Sequence, residues 1–79
     1  MKQQLYNERI VINPDILVGK PVIKGTRIPV ELVLKRLAQD LNVKTLTEAY
    51  PRLTVEDIKA CLEYAEKLVG NEEIHPAVV

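Results

Sequence analysis

The stretch Pro29-Val30-Glu31-Leu32-Val33-Leu34-Lys35-Arg36-Leu37-Ala38-Gln39-Asp40-Leu41 decides the fold. Val30, Val33, Leu34, Leu37, Ala38 and Leu41 recur at i, i+3, i+4, i+7, i+8 and i+11, one face of an amphipathic helix. Pro29 suits the first helical position, where a missing N–H costs nothing, and Glu31 lies at the positive end of the helix dipole. Leu32 falls off the stripe and is a candidate interface residue. Toward the C-terminus, Asn42 is placed to cap a short second helix through Tyr50, with Val43, Leu46, Ala49 and Tyr50 inward and Pro51 as its stop. Thr54-Val55-Glu56-Asp57 reads as a capping box with Asp in place of the usual Glu. It opens a third helix whose Val55, Ile58, Cys61, Leu62, Ala65, Leu68 and Val69 keep helical spacing, and Gly70-Asn71 predicts a left-handed stop.

Toward the N-terminus, Arg9-Ile10-Val11-Ile12 is a β-favouring run ended by Asn13-Pro14-Asp15, where the Asx side chains can close a turn. Val22-Ile23, bounded by Pro21 and Gly25, reads as a second strand, giving a small hairpin or irregular β arm. The expectation is one mainly α domain over residues 1–79: arm and loop at 1–28, a three-helix core at 29–70 and a tail at 71–79.

Composition agrees. The 79 residues are 47% apolar and 28% charged, with three Tyr and no Phe or Trp, so the core must be aliphatic. A chain this short buries only about 60% of its unfolded surface, which argues against an enzyme with an internal pocket. Net charge is zero, but residues 1–36 carry seven cations against three acids, and residues 37–79 carry four against eight. Such polarity fits a basic nucleic-acid face beside an acidic protein-binding face, and in so small a chain it also arises by accident. Cys61, the single cysteine, excludes an internal disulfide. The start MKQQLYNER lacks a signal-like apolar run, and no stretch approaches the roughly 20 apolar residues of a membrane span. A cytoplasmic protein with no membrane role is expected.

The short turn Pro51-Arg52-Leu53-Thr54 between two helices permits a helix-turn-helix with residues 55–69 as recognition helix. That helix sets four acids, Glu56, Asp57, Glu63 and Glu66, against Lys59 and Lys67, whereas phosphates favour a basic reader. A scaffold that uses the geometry only to pack is the stronger reading. The unusual stretch is Gly19-Lys20-Pro21-Val22-Ile23-Lys24-Gly25-Thr26-Arg27-Ile28-Pro29. With Ile10, Asn13, Pro14 and Tyr50-Pro51-Arg52-Leu53-Thr54 it resembles the domain-of-unknown-function family 433 over roughly residues 9–69. The resemblance implies a homeodomain-like helical fold and an antitoxin role beside a PIN-like ribonuclease toxin. One departure is Val18, where many members have glycine.

Lys20, Lys24 and Arg27 place three cations in eight residues among Gly and Pro, as a loop presenting donors to phosphates would. With Lys35 and Arg36 they form the candidate nucleic-acid-binding set. For Arg27 the alternative is a fixed salt bridge or a cap on helix carbonyls within the fold. No Walker-type phosphate loop is present, and Cys61 and His75 offer no metal-ligand spacing. Glu63 and Glu66 read as a solvated helix face without a nucleophile, so neither catalytic residues nor a cofactor is expected. Candidate partner-binding residues are Leu32, Tyr64 and, in the tail, Glu72, Glu73, Ile74, Val78 and Val79. Tyr64 lies off the main stripe of the third helix, where packing on the β arm competes with an interface role. A homodimer is expected, through Leu32, Tyr64 and the edge of the strand Ile10-Val11-Ile12. The leading expectation is thus a non-catalytic antitoxin that inhibits a PIN-like ribonuclease and binds its own operator DNA. The alternatives are a stand-alone helix-turn-helix regulator and an oligomerising interaction module without nucleic-acid binding.

Overall fold

A computed structural model of the chain describes residues 4–5 and 7–71. The arm holds β1 (Gln4–Leu5), β2 (Ile10–Ile12) and β3 (Pro21–Ile23), and the helices are α1 (Val30–Gln39), α2 (Val43–Ala49) and α3 (Val55–Asn71). Three helices behind a short β arm, with α2 and α3 joined by a tight turn, are the mainly α architecture that the spacing predicted.

The arm is a three-stranded antiparallel meander in the order β1-β2-β3, in which β1 extends the expected pairing of β2 with β3. Ile10 stands opposite Ile23 and Val11 opposite Val22, while Leu5 adds β1 on the other side of Val11. β2 is therefore the central strand, and the free edge expected at Ile10–Ile12 is covered by β1. The pleat divides the strand residues. Ile10 and Ile23 join the helical core, and the buried Val11 and Val22 line a groove with Ile16.

Local chemistry sets the turns. The Asn13 side chain accepts from the Asp15 N–H at 2.8 Å, and Asn7 accepts from both Arg9 and Ile10 at 2.8 and 2.9 Å. Leu17, Val18 and Gly19 follow with φ of 50°, 57° and 81°. A left-handed β-branched residue such as Val18 costs roughly 1–2 kcal/mol, a strain that a glycine there would avoid. Thr26 N–H donates to the Ile23 carbonyl at 3.0 Å across a turn whose third residue, Gly25, has φ of 81°. Among the described residues nothing lies within 4 Å of where a Cβ would sit on Gly25, so it is the backbone conformation that favours glycine there.

The helices begin as expected, with one shift. Pro29 is extended at ψ 149° and is the N-cap, and Val30 is the first helical residue. Asn42 caps α2 by accepting from the Thr45 N–H at 3.1 Å. The capping box of α3 is complete: Thr54 Oγ1 accepts from the Asp57 N–H at 3.1 Å, and an Asp57 carboxylate oxygen accepts from the Thr54 N–H at 3.0 Å. Gly70 and Asn71 are not the stop that the sequence predicted, since α3 runs through both and Gly70 lacks a positive φ.

The core joins Ile10, Ile23, Val30, Val33, Leu37, Leu46, Leu53, Ile58, Ala60 and Cys61, with Ile28, Leu34, Tyr50 and Tyr64 packed at its margin. It is aliphatic, with the described tyrosines only part-buried. The apolar stripes extend further than the core. Ala38, Leu41, Val43 and Ala49 are exposed, and so are Val55, Leu62, Leu68 and Val69 of α3.

Candidate nucleic-acid interface

Two turns distant in sequence are tied into one surface by Arg52. Its guanidinium donates to the Gly25 carbonyl at 3.0 Å, holding the α2–α3 turn against the turn that leads into α1. Beside that bond lies a groove with Val11, Ile16 and Val22 as apolar lining and Lys24, Arg27 and Arg52 as its cations, with no carboxylate among the lining residues. A second groove continues from Arg27 and Arg52 along Ile28, Ala49, Tyr50 and Pro51. A third takes over at Ala49 and Tyr50 and reaches Arg36, whose guanidinium donates to the Tyr50 hydroxyl at 3.3 Å and lies 5.9 Å from the ring centroid. The result is a track of cations, Lys24, Arg27, Arg52 and Arg36, alongside a half-buried aromatic ring.

The sequence candidates divide on this geometry. Lys24 and Arg27 are exposed in the first groove, and among the described residues neither makes an ion pair. Lys20 Nζ pairs with Glu31 at 3.0 Å, both largely exposed, and Lys35 lines none of these grooves. Arg52 was missed as a site residue. Its signal was its place in Tyr50-Pro51-Arg52-Leu53-Thr54, the second segment that carries the family resemblance.

Arg9 belongs to the scaffold. Its Nη1 donates to the buried Asp57 carboxylate at 3.0 Å, so the acid that caps α3 also anchors the start of β2. The first turn of α3 is therefore acidic and committed to packing, which argues against this helix as a phosphate reader. Cys61 is fully buried, and burial, followed by the negative charge of Asp57, pushes its thiol up to about 12. Leu32 and Tyr64 are half-buried, and Tyr64 is engaged within the fold. Glu72, Glu73, Ile74, Val78 and Val79 lie outside the described residues. Among the described residues no helix is long and apolar enough to cross a membrane.

A family model described as "Protein of unknown function (DUF433)" matches residues 10–65, which span β2 to most of α3. The uncharacterized protein y4eO of Sinorhizobium fredii is 42% identical over 59 residues, covering 75% of this chain and 27% of that protein. An uncharacterized protein of Archaeoglobus fulgidus is 67% identical over 24 residues, covering 30% of this chain and 67% of that protein. The crystal structure of a DUF433 member from Anabaena variabilis superposes with a TM-score of 0.74 at 34% identity, covering 81% of this chain and 63% of that one. This chain thus spans little more than a quarter of its Sinorhizobium relative. The Gly-Lys-Pro and Gly-Thr-Arg-Ile segments, the fold they build and these matches agree: the chain belongs to the DUF433 family.

Proposed function

We propose that this protein is a non-catalytic, antitoxin-type regulator that holds a PIN-like ribonuclease inactive and binds its own operator DNA through the Lys24–Arg27–Arg52–Arg36 track. The observation that carries the DNA half is the first groove, where three cations line one concavity and no carboxylate does so among the described residues. Phosphate contacts supply most nonspecific affinity and fix a protein's register on the duplex. Tying the guanidinium of Arg52 to Gly25 fixes the spacing of the two turns in advance, so less order has to be imposed on binding. The ribonuclease half is supported by the family resemblance and by the apolar surface that this small fold leaves exposed.

Co-expression with a neighbouring ribonuclease gene, together with band-shift assays on DNA upstream of the protein's own gene, tests both halves. The expected outcome is copurification, growth rescue and a salt-sensitive shift. Lys24→Glu with Arg27→Glu should abolish the shift and leave copurification intact. A shift without copurification favours the stand-alone regulator, and copurification with no wild-type shift removes the operator reading.

A further inference from the structure

Val55, Leu62 and Val69 recur every seven residues along α3 and are 58%, 50% and 65% exposed. Seven residues are nearly two helical turns, so the three side chains form one stripe roughly 21 Å long. The stripe lies beside the face that buries Ile58 and Cys61, so it is not an extension of the domain's own core. Lys59 and Glu66, also seven apart, border it on one flank and make no ion pair among the described residues.

We propose that this stripe is the seam of a homodimer, in which α3 packs antiparallel against α3 of a second copy about a two-fold axis at Leu62. The stripe matches its own reversal. With Leu62 opposite Leu62 of the second copy, Val55 falls opposite Val69, and Val69 opposite Val55. In that register Lys59 of each copy lies within one residue's rise, about 1.5 Å, of level with Glu66 of the other. A two-fold axis perpendicular to an antiparallel pair keeps the same flank of both helices on one side, so the two opposite charges meet twice. This self-complementarity, of shape and of charge, selects a second copy of the chain as the occupant. A seam of three apolar layers is smaller than a standard stable interface of about 800 Å² per partner, so the dimer forms reversibly, with dissociation in the micromolar range or weaker. The argument uses α3 alone and stands apart from the DNA and ribonuclease readings. It also replaces the seam expected at Ile10–Ile12, whose edge β1 covers.

Sedimentation equilibrium of the full chain from roughly 10 to 500 µM should show monomers passing into dimers. Leu62→Glu places two carboxylates together at the axis and should weaken association at least roughly tenfold, with an unchanged melting temperature at low concentration. Lys59→Glu should weaken it less, and adding Glu66→Lys should restore it, because the exchanged pair is again complementary. Leu62→Cys should crosslink to its own counterpart under mild oxidation, while the buried Cys61 leaves the wild-type chain uncrosslinked. A wild-type monomer throughout the range overturns the proposal. So does a dimer unmoved by Leu62→Glu, or a failure of the charge exchange to recover what Lys59→Glu lost. A monomer that loses ribonuclease copurification on Leu62→Glu assigns the stripe to that partner and equally overturns it.

Discussion

The two halves of α3 live under different conditions. In its first two turns Ile58 and Cys61 are 3% and 0% exposed, and Asp57 is held by Thr54 and by Arg9. In the last turns Leu68, seven residues beyond Cys61 on the same face, stands 52% exposed, on a helix that is no less regular. The difference lies in what stands opposite. The 17 residues of α3 extend about 26 Å, whereas the ten of α1 extend about 15 Å. A longer helix packed on a shorter one and a small sheet has to project. Helical spacing fixes where an apolar face lies on its own cylinder, and the length of the neighbours fixes how much of that face is covered.

The largest effect should come from breaking the buried half. Ile58→Ala should cost about 2–4 kcal/mol by urea denaturation, since it opens a cavity in the aliphatic core. Leu68→Ala, in the projecting half, should cost under about 1 kcal/mol in dilute solution, because half of the side chain already meets water. Equal costs for the two would mean that the helix is covered along its whole length, and the contrast between its halves would be lost.

Next in size is Asp57, the polar anchor of the buried half. Asp57→Ala removes the reciprocal cap and leaves Arg9 without its partner, at about 1–3 kcal/mol. Arg9→Ala should cost less, because the Arg9 side chain is 44% exposed and its ion pair is weakened by solvent. If the two variants melt alike, the carboxylate serves the ion pair and the cap adds nothing.

These anchors also show how much of the molecule was legible. Asn42, Thr54 and Asp57 were readable because capping is local: donor and acceptor lie within three residues, and the residue types are the signal. The strands at Ile10–Ile12 and Val22–Ile23 were readable from β-branched runs between turn residues. Two long-range facts were not. That β1 would cover the edge of β2 depends on a pairing that Gln4-Leu5 does not announce. That Arg52 would reach Gly25, 27 residues away, depends on the completed fold. The candidate site was half-legible for the same reason. Lys24 and Arg27 lie in one conspicuous loop, whereas the fold engages Lys20 with Glu31 and supplies Arg52 from a different turn.

A third test separates the halves by pH. The thiol of Cys61 is pushed from an ordinary 9.0 up to about 12 by burial and by Asp57. The unfolded chain gives up this proton near pH 9 while the folded chain keeps it. Stability from the neutral thiol is thus fully present below pH 9 and is lost as pH rises toward 12, by about 1.4 kcal/mol at pH 10. Lysines and tyrosines add alkaline slopes of their own, so the measurement is a difference: Cys61→Ala should lose stability less steeply between pH 8.5 and about 10.5 than wild type. Parallel slopes would place the thiol in contact with water, and the first half of α3 would then resemble the second.

The smallest expected effect is decided by its sign. As a left-handed stop, Gly70 would punish any added Cβ, and Gly70→Ala would destabilise the fold. Within α3 the same substitution relieves the entropy cost of a helical glycine, worth at most about 1 kcal/mol in a helix interior and less in a final turn. Among the described residues the added Cβ would meet the Glu66 carboxylate at 3.7 Å, an ordinary contact with the end of a movable side chain. Gly70→Ala should therefore raise stability by about 0.3–0.5 kcal/mol, and amide exchange should slow over the last turn more than at Ile58. That asymmetry is the informative part. The core half of α3 opens only with the whole domain, so a local gain in helix propensity barely changes its protection. The projecting half opens on its own and registers the full change. A destabilised Gly70→Ala variant would end α3 before residue 70 and shorten the projection that exposes Leu68.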